Sequence, residues 1–523
     1  MRRLLPLAAV LTLAAPALAS APPPPIPVDD LSMAELQAHV VAGEASYENV
    51  LYAYLRRIEL LDPKLRSIIA VNPNAGAQAS AADLSLDMDR RSAAHHPPKG
   101  PLFGMPILIK DNIETLDPMA TTAGSLALAG NVTGRDAPVV ARLRAAGAVI
   151  LGKANLSEWA NIRSDDSLSG WSAVGGQARN PYDLARSACG SSAGSAVAVA
   201  AGLAAAAVGT ETDGSVTCPA ATNGLVGLKP TVGLVSRTFI VPISASQDTA
   251  GPMTRTVTDA ANMLTAMAGG DPRDPATAEA DARKSDYAAA LRPDALKGAR
   301  IGVMRYAAGF HKETDVVFEQ ALATLKAQGA ILVDVPEFPK RGDIGPAELT
   351  VLLTELKVGL NAYLASTDPK TVATRTLADV IAFNQAHADR EMPLFGQELF
   401  EQAEKTRGLS DPGYIKARDD ARRLAGPEGI DALLAKYNVT ALVGPTLGPS
   451  WLIDPVLKDR YVGGGAGGAA AVAGYPHLTV PMGQVGGLPV GLSFVGPKWS
   501  EARLLGYGFA YEQASRARRA PAL

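Results

Sequence analysis

The chain has 523 residues, 47% of them hydrophobic and 19% charged, a globular composition that excludes wholesale disorder. Its 49 basic and 52 acidic side chains leave a formal net charge of −3. There is no long basic block, so the electrostatics argue against nucleic acid as a partner.

At the N-terminus, Arg2 and Arg3 precede an apolar run over 4–17, broken by Pro6 and Pro16 and followed by Ala17-Leu18-Ala19. This reads as a signal peptide over 1–19, cleaved after Ala19 or Ala21, and predicts export to a bacterial periplasm or medium. The run falls short of the roughly 20 apolar residues that a membrane anchor needs. Residues 20–29, with their proline run, read as an exposed tether. No later stretch is apolar enough for a membrane span; the region 193–208 is interrupted by Gly194, Ser195 and Gly202.

Residues 30–62 predict helix, with Ser46 as a cap within the stretch, apolar residues from Val50 to Leu61 at helical spacing, and Pro63 as the stop. A short strand follows at 67–71, then helix to about Arg91 and a polar loop containing His95 and His96. From there the pattern alternates: strand 107–109, helix 138–146, strand 149–151, helix 194–203 and an extended segment at 224–228. The alternation resumes with strand 298–304, helix 314–328 and strand 330–335. Residues 340–433 read as a mainly helical peripheral layer, and 441–444 and 477–480 as further strands. Such alternation predicts an α/β fold around a large, mostly buried sheet. No composition break divides 30–523 into two domains.

The chemistry concentrates in three places. Gly104-Met105-Pro106-Ile107-Leu108-Ile109-Lys110-Asp111 ends an apolar strand on a lysine, where an ammonium can lose its proton near neutral pH. Cys189-Gly190-Ser191-Ser192-Ala193-Gly194-Ser195 and Gly209-Thr210-Glu211-Thr212-Asp213-Gly214-Ser215 each set a serine among glycines. Glycine lets backbone N–H groups approach a substrate oxygen closely, and Gly214 clears the space before Ser215. Ser191 is no base by itself, but it can pass a proton from Ser215 to a neutral Lys110. Either serine motif alone reads as a plain turn, and Lys110 alone as a surface lysine. In combination they point to a serine hydrolase with a lysine base.

Two other matches fail on context. Gly190 to Gly194 fits the nucleophile-elbow pattern with Ser192 as nucleophile, but the polar, turn-like stretch 179–188 replaces the strand such an elbow requires. Gly147 to Ala154 nearly fits a phosphate-binding loop, yet Ala154 stands where a hydroxyl is needed and the interior reads as strand. The six histidines and two cysteines show no ligand spacing, so neither a metal nor another cofactor is expected. Cys189 and Cys218 read as buried free thiols, although export would allow them to oxidise if they meet.

These residues resemble the amidase signature enzymes. The stretch from Cys189 to Ser195 resembles their glycine- and serine-rich motif, and 209–220 the segment that holds their nucleophile. Gly227-Leu228-Lys229-Pro230-Thr231 and Gly251-Pro252-Met253 are similar to the segments that follow, within core motifs at 104–255. Asn155-Leu156-Ser157-Glu158-Trp159-Ala160-Asn161, Gly170-Trp171-Ser172 and Phe395-Gly396-Gln397-Glu398-Leu399 are similar to the bacterial branch that acts on peptide amides. The resemblance implies a single domain over 30–523, with a twisted mixed sheet between helical layers. It implies a catalytic Ser215, Ser191 and Lys110, with the peptide bond before Ser191 cis, and an oxyanion hole from the backbone of Thr212, Asp213, Gly214 and Ser215. The expected reaction is hydrolysis of a primary carboxamide by a monomer, with the C-terminal amide of a peptide as substrate. Rival readings are a non-catalytic binding protein, a small-amide amidase or esterase, and a glutamyl-tRNA amidotransferase-like subunit. Cys189 and Ala193 replace usual glycines, Asp213 is often glycine, and no arginine stands at Thr217 or Cys218; these departures bear on pocket shape.

Overall fold

The computed structural model describes residues 26–92 and 99–523. The expected leader, most of the tether and the His95-His96 pair lie outside the described residues.

In chain order the strands are β1 (Ile68–Val71), β2 (Pro106–Lys110), β3 (Val149–Ala154), β4 (Trp171–Ser172), β5 (Gly176–Gln177), β6 (Ala206–Glu211), β7 (Val226–Lys229) and β8 (Thr249–Thr254). They continue with β9 (Arg300–Met304), β10 (Ile331–Val335), β11 (Ala441–Pro445), β12 (His477–Val485) and β13 (Leu488–Val495). Eleven of them form one mixed sheet in the order β1-β3-β2-β6-β8-β7-β12-β13-β11-β9-β10, while β4 and β5 pair only with each other. Helices flank this sheet, and one apolar core runs along it from Met33 and Tyr54 to Tyr511.

The site follows from the middle of the sheet. β2 runs parallel to both β3 and β6, with Ile107 opposite Ala206 and Ile109 opposite Val208. Parallel strands covered on both faces carry continuous apolar or small residues, and every residue of β2 and β6 is buried. The carboxyl ends of β2 and β6 therefore open at the same edge, where α/β sheets place their sites. Helix Ala193–Ala200 is buried along its whole length. Only glycine fits at position 194, because a Cβ would come within 2.3 Å of Ser67 O and 2.5 Å of Asn155 O.

The peripheral layer is helical, with Ile344–Ala365, Leu377–Ala386, Glu398–Glu404 and Pro412–Ala425 as its main elements. Leu356, Leu360, Val380 and Phe400 form a second apolar cluster that takes in Trp159, so this layer backs the segment leading to the site.

The predicted first helix is two helices, Met33–Val41 and Tyr47–Leu65. The break passes through Gly43, and Ser46 starts the second helix by accepting from Asn49 N–H at 3.0 Å. Pro63 does not stop it. The helix carries this proline in its last turn and ends three residues later at left-handed Arg66, held by the burial of Ile58 and Leu65 on either side of it. β6 and β8 carry no strand signal in the sequence. The alanine-rich 204–208 follows the helix expected over 194–203 and carries no element of its own in the sequence, whereas in the fold it leads into β6, which lies between β2 and β8. The strand β13 and helices Val257–Met267 and Glu501–Ser515 likewise go beyond the elements expected from the sequence.

Candidate active site

Lys110 ends β2, fully buried. Its Nζ lies 2.7 Å from Ser191 Oγ, 2.8 Å from Thr210 Oγ1 and 3.2 Å from Thr210 O. Asn112 Nδ2 donates to the same Thr210 hydroxyl at 3.0 Å. Among the described residues no carboxylate touches the amine. Burial pushes it down to about 7, opposed by the more distant charges of Asp248 and Glu211. A lysine in that range supplies a neutral amine at ordinary pH.

Ser191 precedes the buried helix Ala193–Ala200, and the Gly190–Ser191 peptide bond is cis. Its carbonyl accepts from Ser157 N–H at 2.9 Å. Ser192, the elbow candidate, is spent on the fold: it donates to Thr210 O at 3.1 Å and accepts from Thr210 N–H at 3.2 Å. Ser192 N–H also donates to Ser215 O at 3.1 Å, which fixes the two serine motifs side by side.

Ser215 sits in the turn between β6 and helix Thr217–Thr222. Among the described residues its hydroxyl has no hydrogen-bond partner. Gly214 is left-handed, φ +76°, a conformation that glycine adopts without cost. The N–H groups of Thr212, Asp213, Gly214 and Ser215 donate to no protein acceptor among the described residues, whereas those of Val216 and Thr217 both donate to Glu211 Oε2, at 2.8 and 2.9 Å. Glu211 thus braces the end of the turn and leaves its first four donors for a ligand. Consecutive free N–H groups of this kind form an anion-binding hollow. Thr212 is held from outside, its hydroxyl donating to Asp248 at 2.6 Å.

A cleft of about 340 Å³ reaches this turn, lined by Gly190, Asp213, Gly214, Thr217, Asn161 and His477 among others. Asn161 follows left-handed Trp159 and Ala160 and is itself left-handed, with φ of 50°, 54° and 77° in turn. Asp213 is exposed to the cleft that it helps to line. Desolvation there, with Glu348 and Glu211 nearby, holds its carboxyl well above the usual range, against the pull of Lys229. His477 rests on Ser493 Oγ at 2.7 Å, and burial lowers it to about 4, so the ring is neutral.

The structure brings the sequence-predicted site residues to one edge of the sheet and corrects one expectation. Cys189 and Cys218 are joined in a disulfide instead of lying free. The pairing places the segment before Ser191 against the one after Ser215, a contact that residue spacing alone does not reveal. Sequence reasoning missed Thr210, Asn112, Glu211 and Asp248 as supporting groups. Thr210 and Glu211 lie inside the quoted motif, where they are the polar residues that end an otherwise small and apolar strand.

The amidase family model matches residues 49–505. A protein of Arabidopsis thaliana described as a probable amidase is 42% identical over 478 residues, covering 90% of this chain and 86% of that protein. The X-ray structure of native peptide amidase from Stenotrophomonas maltophilia is 54% identical, with a TM-score of 0.87, covering 95% of this chain and 99% of that one. A glutamyl-tRNA(Gln) amidotransferase subunit of Halorhodospira halophila is 38% identical over 507 residues, covering 92% of this chain and 97% of that protein.

Proposed function

This chain belongs to the amidase family and hydrolyses linear amide C–N bonds, and we propose that its substrate is a primary carboxamide, the C-terminal amide of a peptide. Ser215 is the nucleophile, Ser191 the relay and Lys110 the base. The observation that carries the reading is the 2.7 Å contact between Lys110 Nζ and Ser191 Oγ, beside a turn whose N–H groups at 212–215 are free.

The neutral amine directs its two N–H bonds at Thr210 O and Oγ1, and its lone pair at the Ser191 hydroxyl. As Ser215 Oγ attacks the carbonyl carbon, its proton passes to Ser191 Oγ and the Ser191 proton passes to Lys110 Nζ. The negative charge that develops on the substrate oxygen is held by the 212–215 turn. Collapse of this intermediate breaks the C–N bond. Ser191 protonates the leaving nitrogen and is reprotonated by Lys110; ammonia departs and an ester remains on Ser215. Water then attacks the ester with the same relay, releasing the carboxylic acid. The link between the two hydroxyls is the one still to close, and catalytic hydrogen bonds often tighten only around the substrate.

The test is direct. Purified protein incubated with a peptide amide should yield the peptide acid, a gain of about one mass unit with no chain cleavage, by replacement of NH₂ with OH. Ser215→Ala should lower the rate by about 10⁴-fold or more while its circular dichroism stays native. Near-native turnover in that variant would remove the mechanism. Ammonia released from small amides but not from peptide amides would transfer the chain to the small-amide reading.

We further propose that the protein is exported and acts as a monomer. Support for export is the Arg2-Arg3 start, the apolar run and the small residues before Ser20. Protein recovered from the envelope should begin at Ser20 or Pro22; an intact Met1 in the mature protein would refute export.

A further inference from the structure

Residues 448–463 leave the cleft wall and return to it. Their ends are joined by Gly448 N–H donating to Gly463 O at 3.1 Å and by a bridge between Leu447 and Gly464. This is an Ω-loop, and its charges are used on its own frame. Asp454 accepts from the N–H groups of Val456 and Leu457, at 2.8 and 2.9 Å. Lys458 Nζ donates to the carbonyls of Leu394 and Pro455. Asp459 accepts from Ser169 Oγ at 2.6 Å, Ser169 N–H at 3.1 Å and Trp451 Nε1 at 2.9 Å, fastening the loop to the segment that follows Asn161. Arg460 is the one charged side chain of the loop with no partner among the described residues.

Beside Arg460 and Pro455, what the loop turns outward is a group of large apolar side chains. Val456 is 82% exposed, Tyr461 62%, Leu452 57%, Leu457 54% and Val462 46%. Large apolar side chains exposed singly are ordinary, but a group of them in one place marks a binding surface. Trp451 and Tyr461, with ring centres 5.9 Å apart, also line the cleft, so the apolar face continues from the cleft to the outside.

We propose that loop 451–462 is the subsite for the residues upstream of the scissile amide, and that the preferred substrates are peptide amides with apolar side chains there. This rests on the peptide-amide reading above and names its substrate class. The reaction needs only the carboxamide at Ser215, so contacts made by the rest of the peptide act through kcat/KM. Asp454, Lys458 and Asp459 are each held by hydrogen bonds to the loop or to its neighbours, which leaves the exposed apolar side chains as the groups free to take up the rest of a peptide.

The experiment compares blocked tripeptide amides that share a C-terminal residue and carry either two leucines or two serines upstream. Wild-type kcat/KM should favour the leucine peptide about tenfold, the effect of partly burying apolar side chains. The double variant V456S/L457S, and separately Leu452→Ser, should bring the ratio towards one. Equal rates on the two peptides in the wild type, or an undiminished ratio in both variants, would overturn the inference while leaving peptide amides as substrates. Hydrolysis of small amides with none of either tripeptide would instead overturn the reading beneath it. If V456S/L457S converts a dimer into a monomer in sedimentation and leaves selectivity untouched, the inference falls and the face belongs to a second copy of this chain.

Discussion

Two neighbouring strands each carry a lysine near their carboxyl ends, and the two lysines sit in opposite electrostatic surroundings. Lys110 on β2 and Lys153 on β3 are equally buried. Among the described residues Lys110 meets hydroxyls and a carbonyl and no carboxylate. Lys153 meets the carboxylate of Asp111 at 3.0 Å, as well as Ile113 O and Thr121 Oγ1, each at 2.8 Å. Burial lowers both amines, but Asp111 opposes the shift directly at Lys153, whereas at Lys110 only distant carboxylates do so. Burial alone therefore does not make a lysine a base. A base needs neutral partners that accept its N–H bonds without holding a charge on it.

The comparison can be broken by deleting each lysine in turn. Lys110→Met should reduce kcat by about 10³-fold, as for loss of a general base, yet cost only about 1–2 kcal/mol, because what it leaves behind are hydroxyls and a carbonyl. Lys153→Met should do the reverse. It leaves Asp111 buried without its counter-ion, and breaking such a pair costs about 3–5 kcal/mol. Denaturant melts and initial rates on one preparation of each variant decide the matter; equal losses of stability would dissolve the distinction.

The pH profile sharpens the same point with a smaller effect. Lys110 must be neutral to accept a proton, and its folded pKa is lowered to about 7. Activity should thus be low in acid, rise about tenfold per pH unit up to about 7 and then level off. A profile that instead falls as pH rises through 7 would mean that the protonated amine is the active form.

How much of this was legible beforehand varies along the chain. Lys110, Ser191 and Ser215 stand in motifs whose glycines and apolar flanks carry a local signal, and the fold brings those three motifs to one edge of the sheet. The sheet was legible where strands are β-branched, as at 107–109 and 149–151, and illegible at β6. There, Ala206 and Ala207 have weak intrinsic strand preference, and a fit between two neighbouring strands decides the conformation. Pro63 misled for a related reason: a local stop signal yields where buried residues on both sides, Ile58 and Leu65, hold the helix in place.

What the sequence alone determined is the chemistry available: an amine at the end of an apolar strand, two hydroxyls freed by glycines, and the α/β alternation that stacks them. These follow from side-chain type and from periodicity, both of which are local. Tertiary structure alone decided which groups meet. Thr210 became the acceptor that leaves Lys110 uncharged, Glu211 the brace of the Ser215 turn, and Cys189 the partner of Cys218. Asp459 became the clasp of the loop at the cleft mouth. Each of those contacts joins elements that the chain's order keeps apart or disguises, and the energy of a buried polar group depends on the atoms folded around it.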